Sequence, residues 1–555
     1  MTRRQFKYIA LSFLFIGLAA PAGVRPAVLS PTALESIPID GGWIAKWRED
    51  LAVAKKEMPE THARIDHTTP LSELEAAIDD LARRIPTLDH HQAVVELARI
   101  VAMIGDGHTR LTLPIDPASG FVGGHTKTKE ATLPGTPFHH YPVRFFLYED
   151  GLAVETIAAE HRSLLGARVV SIGSMSTEDA MKAVEPTIHR DNQMQVRNIL
   201  PSTLVIPELL HAQGVIDRLG SLALELETPD GELHRLSLEP VPMGEVVEWA
   251  ERAPASIPLF RRHLDQNYRF EHFEDERTVY FRYVAVQNAA EGESLAEFSK
   301  RMFSFIEAHE VERLILDLRG NGGGDNWLNA PLERGIIRAE SLWRPGGLVA
   351  IADRMTFSAA MNFLNFVAGS TPAVLVGEAA GGRPNHYGDS RKLQLPNTGL
   401  TVRLSTLFHQ DGGAADERDQ IDPHILIPLT AADIRAGRDP VLEEIRSWNQ
   451  PGDPAGSWRG PATMRQYATN VSVEFEQNED GWSGNFDAPG WFAPMAISNG
   501  QLNDGEIQFD LQLETSTIHV RAQASGSRLL GMLDYQGQWY PFAATRTDPP
   551  QSSRP

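Results

Sequence analysis

Between residues 277 and 447, strand-like apolar runs alternate with helical segments, and this pattern restricts the fold more than any other feature of the chain. The predicted strands are 279–286, 313–319, 348–353 and 373–377, and the predicted helices are 295–309 and 358–367. Segments that alternate in this way pack as layered α/β structures. We therefore predict a multidomain α/β protein with its main sheet in this region.

The chain has 555 residues, more than one hydrophobic core accommodates, so further units are expected on both sides. Two helices are predicted before the core, one capped by Ser72 and one starting near His91. The segment 456–546 combines glycine, tryptophan and alternating apolar residues, which predicts a small barrel or sandwich. The predicted units are a signal peptide at 1–22, an N-terminal helical domain at 41–115, an α+β module at 137–242, the α/β core at 270–448 and a small β-barrel at 455–547.

The N-terminus has the pattern of an export signal. Basic Arg3, Arg4 and Lys7 precede an uncharged apolar run at 9–20, and Ala20-Pro21-Ala22 offers a cleavage site. Export by the general or the twin-arginine route stays open, and the alternative is a retained membrane anchor. Since the chain has no cysteine, it has no disulfides and no thiolate nucleophile. We expect a periplasmic or secreted protein that contacts a membrane only through an uncleaved signal.

The charge balance argues against nucleic acid as the main partner. The net charge is −22, whereas phosphate binding needs clustered lysine and arginine. The 19 histidines show no convincing ligand spacing, so we predict no metal and no cofactor.

Two turns in the core carry the candidate chemistry. The first, at 317–324, contains four glycines, which allow backbone amides to converge on an anion. The second, at 353–358, places Ser358 where a strand gives way to a helix, a position that favours an attacking oxygen and a developing oxyanion. Taken alone, Ser358 is better explained as a helix N-cap than as a nucleophile. The glycine turn is equally explained as a tight turn or phosphate cradle, although it lacks the ending of a P-loop.

Taken together, these segments resemble the carboxyl-terminal-processing and tricorn-type serine peptidases, also called tail-specific proteases. The matching segments are 106–109, 314–324, 356–360, 376–384 and 417–428, within a resemblance that covers about residues 70–445. The resemblance implies a crotonase-like α/β catalytic core after an N-terminal helical region. It also implies a PDZ-like module at 137–242, and the last domain resembles lipocalin-like barrels of bacterial hydrolases.

The family implies two possible bases for the serine. One branch uses a lysine whose position falls on Arg383, and arginine stays protonated and cannot accept a proton. The tricorn-like branch uses a histidine and a glutamate, which correspond to His108 and Glu417. Neutral histidine accepts a proton near pH 7, and a carboxylate orients it. The rivals are His386 as the base and Asp419 as the acid.

Three further expectations complete the predicted site. Gly107 precedes His108 where the tricorn pattern has a serine, which leaves the link to the acid open. The oxyanion is expected at the amides of Ala359 and of Gly322 or Gly323. The candidates for substrate binding are Arg383 and His386.

The resulting hypothesis is an exported serine endopeptidase that hydrolyses peptide or protein substrates through an acyl-enzyme on Ser358, with His108 as general base. Two alternatives stay open. One is a non-catalytic protein that binds hydrophobic ligands or peptides on the same scaffold. The other is an esterase or amidase for small substrates.

Overall fold

The computed structural model describes residues 34–114, 133–243, 245–250, 252, 257–479 and 481–547. The predicted signal peptide at 1–22 lies outside these residues. Within them, no helix has both the length and the apolar character needed to cross a bilayer.

Three helices and a short strand begin the described chain: α1 Gly41–Thr61, α2 Leu71–Arg84, α3 His90–Ala102 and β1 Arg110–Thr112. The predicted cap at Ser72 is wrong, because α2 begins at Leu71 with Pro70 in the N-cap position. Pro70 has φ −53° and ψ 139°, an extended conformation that suits the residue before the first helical turn. Helix α3 begins within one residue of its prediction.

The next unit is an antiparallel sheet with three inserted helices. Its elements are β2 His139–His140, β3 Val143–Tyr148, β4 Gly151–Ile157, β5 Arg168–Ile172, β6 Met175–Ser176, α4 Thr177–Val184, α5 Gln193–Thr203, α6 Pro207–Ala212, β7 Leu222–Glu227, β8 Leu233–Leu238 and β9 Val241–Pro242. The strand order is β3-β4-β5-β7-β8, with β6 paired to β5 and β2 to β9. Apolar side chains of this unit and of α1–α3 form one continuous core.

The third unit is the predicted α/β core. Its elements are β10 Tyr268–Phe273, β11 Thr278–Tyr283, α7 Leu295–Ala308, β12 Arg313–Asp317, α8 Ala330–Arg338, β13 Leu348–Ala352, α9 Ala359–Ser370, β14 Val374–Gly377, β15 Asn385–Gly388, β16 Arg391–Gln394, β17 Thr401–Leu404, β18 Leu407–Gln410, β19 Ile425–Leu426, α10 Ala431–Arg435 and α11 Pro440–Arg446. The main sheet has the order β10-β11-β12-β13-β14-β19, and every pair after β10–β11 is parallel. Strand β13 is buried along its whole length, as expected for a parallel strand covered on both faces.

Four short strands of this unit were not predicted, and they position the site. Strand β17 pairs with β16 and with β1, so the segment after α3 is joined to the core. Strand β15 pairs with β18 in a separate hairpin. Through these pairings, residues more than 250 positions apart lie side by side.

The last unit is a closed barrel made of β20 Gly456–Met464, β21 Tyr467–Asn478, β22 Gly481–Asp487, β23 Met495–Ala496, β24 Ser498–Asn503, β25 Glu506–Gln512, β26 Thr517–Ser525, β27 Arg528–Tyr535 and β28 Gln538–Arg546. Strands β20 and β28 pair, and β21 pairs with β22, which closes eight strands into a ring; β23 is an additional strand on β22. Closure leaves no open sheet edge in the ring. Leu530 and Ala543 of the barrel pack with Trp448 and Val349, so the barrel docks on the core.

Candidate active site

Ser358 follows β13 by a short turn and immediately precedes α9. Its backbone has φ 54° and ψ −129°, and its side chain makes no capping hydrogen bond. A non-glycine residue in such a conformation costs about 1–3 kcal/mol. The serine therefore occupies the N-cap position without acting as a cap, and its half-buried hydroxyl is available for another role.

The glycine turn and the serine turn are bonded to each other. Asp353 accepts hydrogen bonds from the Gly320 amide at 3.0 and 3.1 Å and from the Met355 amide at 2.9 Å. The Phe357 amide donates to the Asn321 carbonyl at 3.1 Å. These contacts fix Ser358 against the glycine turn.

The amides expected to hold an oxyanion differ in their partners. A Cβ added to Gly323 would lie 2.7 Å from Ser358 Cβ and 2.8 Å from the Ala359 nitrogen, so only glycine allows this approach. The Gly323 amide donates to Asn321 Oδ1 at 2.9 Å. Among the described residues, the amides of Gly322 and Ala359 have no partner. Of the two predicted glycines, Gly322 therefore has the available donor.

His108 lies beside the serine turn. Its loop is fixed by Asp106, which accepts hydrogen bonds from the amides of His108 and Thr109 at 2.8 and 2.7 Å. The His108 ring stacks on Phe357 with 4.3 Å between centroids, and on His386 with 5.5 Å. The fold thus brings His108 to the residue that precedes Ser358, and His386 stacks on His108.

Both imidazoles are neutral at pH 7. Burial, together with His386, lowers the pKa of His108 to about 3. Burial and His409 lower the pKa of His386 to about 4. His386 Nδ1 lies 3.2 Å from the Arg383 carbonyl, so it donates there and keeps Nε2 as an acceptor. A neutral imidazole has the free lone pair that a general base needs.

The two predicted acids lie at the surface. Glu417 is exposed and makes no hydrogen bond or ion pair with any residue that the structure describes. Asp419 is exposed as well and pairs with Arg383 at 3.0 Å. The structure shows neither carboxylate bonded to His108, and their roles stay predictions. Arg383, the candidate for binding a substrate carboxylate, carries a charge partly balanced by Asp419.

Sequence reasoning missed a buried polar group at the start of α5. Asp191 Oδ1 accepts the Gly107 amide at 2.6 Å. The Asn192 side chain donates to the carbonyls of Ala380 and Asp419 at 3.1 and 2.9 Å. The Asp-Asn pair signals a helix start, since Asn192 caps α5. Nothing in the sequence indicates that Asp191 and Asn192 contact the loops that carry His108 and Arg383.

One cluster of described residues has the composition of a metal site: His62, His67 and Asp106. His62 Nδ1 accepts the Arg64 amide at 3.0 Å, so the ring proton sits on Nε2. That Nε2 donates to Asp106 Oδ2 at 2.7 Å. Because the nitrogen facing the cluster carries a proton rather than a free lone pair, these residues do not fit a metal in this arrangement.

Comparison with family models and with curated proteins gives no match. Among solved structures, mature CPAF complexed with lactacystin matches with a TM-score of 0.52 and 14% identity, covering 73% of this chain and 98% of that chain. Mature CPAF alone gives a TM-score of 0.50 at 14% identity, covering 73% and 96%. The photosystem II D1 C-terminal processing protease matches at 12% identity, covering 69% and 93%, but its TM-score of 0.33 adds no weight. The likeness to CPAF shows a shared fold, and that fold fits the tail-specific protease family that the sequence resembles.

Proposed function

We propose that this protein is an exported serine peptidase that cleaves peptide bonds through an acyl-enzyme on Ser358. The observation that carries the proposal is the strained, uncapped Ser358 next to Phe357, on whose ring the neutral imidazole of His108 stacks. Strain at a single serine between a strand and a helix is typical of a functional site. The fold shared with CPAF supports the same reading.

In the proposed mechanism, His108 accepts the proton of Ser358 Oγ as the oxygen attacks the substrate carbonyl. The amides of Gly322 and Ala359 stabilise the negative charge on the carbonyl oxygen. His108 then gives the proton to the leaving amine. A water activated by the same ring hydrolyses the ester and regenerates Ser358.

The remaining roles follow from the resemblance. The α/β unit would be the crotonase-like catalytic core, and the sheet of 137–242 a PDZ-like module that binds an extended peptide by strand addition. Arg383 and His386 would contact substrate near the serine. Glu417 remains the family's candidate for the orienting acid.

Digestion of casein and of a peptide library, analysed by mass spectrometry, tests the function. We expect cleavage by the mature chain and none by Ser358→Ala, which keeps the backbone and removes only the hydroxyl oxygen. Cleavage of small esters without peptides would instead identify an esterase. Equal cleavage by both proteins would contradict the proposal.

Export is tested separately by expressing the full chain in a bacterium. We expect the periplasmic or secreted fraction to contain a protein whose N-terminus begins near residue 23. Recovery of the intact chain in the cytoplasm alone would contradict export.

A further inference from the structure

We propose that Asp191 is the carboxylate that positions His108, in the role that sequence resemblance assigned to Glu417. This inference rests on the proposed function of Ser358 and His108. It makes Asp191 a positioning residue, because it acts through the imidazole and not on the substrate.

Two unpartnered atoms carry the inference. Asp191 is buried, and its Oδ1 accepts the amide of Gly107, the residue next to His108, at 2.6 Å. Its second oxygen, Oδ2, is buried and makes no hydrogen bond of ordinary geometry among the described residues, although the Arg383 amide lies close enough to the carboxylate to lower its pKa. Nδ1 of His108 is also buried and has no hydrogen-bond partner among the described residues. A buried acceptor and a buried donor site thus lie on neighbouring segments, each lacking what the other supplies.

Gln195 holds this arrangement in place. Its Oε1 accepts the Asp191 amide at 2.7 Å, and its Nε2 lies 3.4 Å from the Gly107 carbonyl. A Cβ on Gly107 would lie 2.5 Å from Gln195 Oε1. The glycine before His108 is therefore required by the Gln195 amide, which occupies the space of a side chain at position 107.

The other carboxylates near the histidine are engaged or remote. Asp106 Oδ1 accepts two amides and the Ser405 hydroxyl, and its Oδ2 accepts His62. Asp419 pairs with Arg383, and Glu417 is exposed. Among the described residues around His108, Asp191 Oδ2 is the carboxylate oxygen left available.

The chemistry calls for a hydrogen-bond acceptor at His108 Nδ1, and a carboxylate serves best because it also stabilises the imidazolium. His108 Nε2 accepts the Ser358 proton only if Nδ1 carries the other ring proton, and a carboxylate holds that tautomer. Nδ1–H donates to Asp191 Oδ2 throughout, and the transferred proton leaves from Nε2 to the amine. A rotation of the imidazole on Phe357 would form this bond.

The surroundings of Asp191 set its titration. Burial and then Asp106 raise the pKa of Asp191 to about 7, while the Gly107 amide, the Arg383 charge and the Arg383 amide act in the opposite direction. The other ionisable groups around His108 are His386, Arg110 and His189. Since the carboxylate form increases through neutral pH, peptidase activity is expected to rise across pH 7. His108 itself is already neutral there and does not produce this limb.

The test compares pH profiles of kcat and KM for the full chain and for Asp191→Asn. We expect kcat of the variant to fall by about 10²- to 10⁴-fold with KM little changed. The rise in kcat across pH 7 should also disappear. The matched control is Asp50→Asn, a remote buried aspartate that binds Asn397 and Thr398. Asp50→Asn should keep the rise in kcat across pH 7 even if the protein becomes less stable.

The rival carboxylate and the fold are tested together. Near-wild-type kcat and an unchanged rise in activity across pH 7 in a folded Asp191→Asn protein would overturn the inference. Loss of both in Glu417→Gln would return the role to Glu417. Unfolding of Asp191→Asn is checked by circular dichroism. If it unfolds, the pH dependence of wild-type kcat and the resonance of the His108 Nδ1 proton decide the question.

A second readout does not need activity. In Ser358→Ala, NMR of ¹⁵N-labelled histidine should show the Nδ1 proton of His108 moving downfield as pH rises through 7. If peptidase activity is absent but this shift is present, the proposed function fails and the pairing stands. Absence of any such shift overturns the pairing.

Discussion

Ser358 has a backbone conformation that its surroundings impose. The Asp353 carboxylate and the Asn321 carbonyl hold the turn before it, and Gly323 packs directly against its Cβ. The motif predicted where the serine lies, but not its positive φ, because that angle results from contacts between two turns. A serine that only capped the helix would need no such angle.

The strain at Ser358 is measurable as stability. Because glycine adopts φ 54° without steric cost, Ser358→Gly should unfold with a free energy about 1 kcal/mol higher than Ser358→Ala. Both variants lack the serine hydroxyl, so the difference in their free energies of unfolding, measured by chemical denaturation, reports the cost of the backbone conformation. Equal or greater stability of the alanine variant would show that the angle is unstrained.

In the glycine turn, we expect alanine to be tolerated poorly at position 323 and better at position 322. Gly323→Ala would place a Cβ 2.7 Å from Ser358 Cβ and 2.8 Å from the Ala359 nitrogen. Because this displaces Ser358 and the Ala359 amide, one of the two oxyanion donors, kcat should fall by about 10²- to 10³-fold. The added Cβ of Gly322→Ala meets open space, so its loss should be smaller. Steady-state kinetics of both variants decide the point, and the reverse order would contradict it.

Elements with strong local patterns were predicted well. The buried runs that became β12 and β13 and the periodic helices α7 and α9 have boundaries close to those expected. Strands β15–β18 were missed because each has only four residues and their pairing is non-local. The same non-local pairing explains why Asp191 was missed, whereas Ser358 and His108 lie in recognisable motifs.

Helix capping gives a prediction for single elements. Ser294 caps α7 in a capping box with Glu297, so Ser294→Ala should cost about 1 kcal/mol of stability. Ser72, which is inside the first turn of α2, is the control, and Ser72→Ala should change stability by only a few tenths of that amount. Urea denaturation of the two variants measures the difference. Equal losses would contradict the assigned helix starts.

The whole molecule buries many neutral histidines. Burial lowers the pKa of His67, His91, His386 and His424 to about 4 and that of His108 and His189 to about 3. Below about pH 6.5 the unfolded chain binds protons that the folded chain does not, so stability is lost as pH falls. Asp191 has the opposite sign, since its raised pKa favours the folded state at low pH and this contribution is lost as pH rises through about 7.

We therefore expect the melting temperature to fall steadily from pH 6.5 to pH 4.5. Replacing buried His424 by Gln should reduce the slope of melting temperature against pH. Glutamine does not titrate, so the unfolded chain takes up one proton fewer relative to the folded chain. Replacing exposed His234 by Asn should leave the slope unchanged. Differential scanning calorimetry checks all three, and a melting temperature independent of pH would contradict the buried, neutral histidines.

The central claim is that Ser358 is a nucleophile activated by His108. Its most direct test is labelling with a fluorophosphonate probe, followed by peptide mapping and by the labelling rates of Ser358→Ala and His108→Gln. The account predicts one adduct on Ser358, none on Ser358→Ala and much slower labelling of His108→Gln. An unlabelled wild-type protein, an adduct elsewhere, or an unchanged rate without His108 would contradict it.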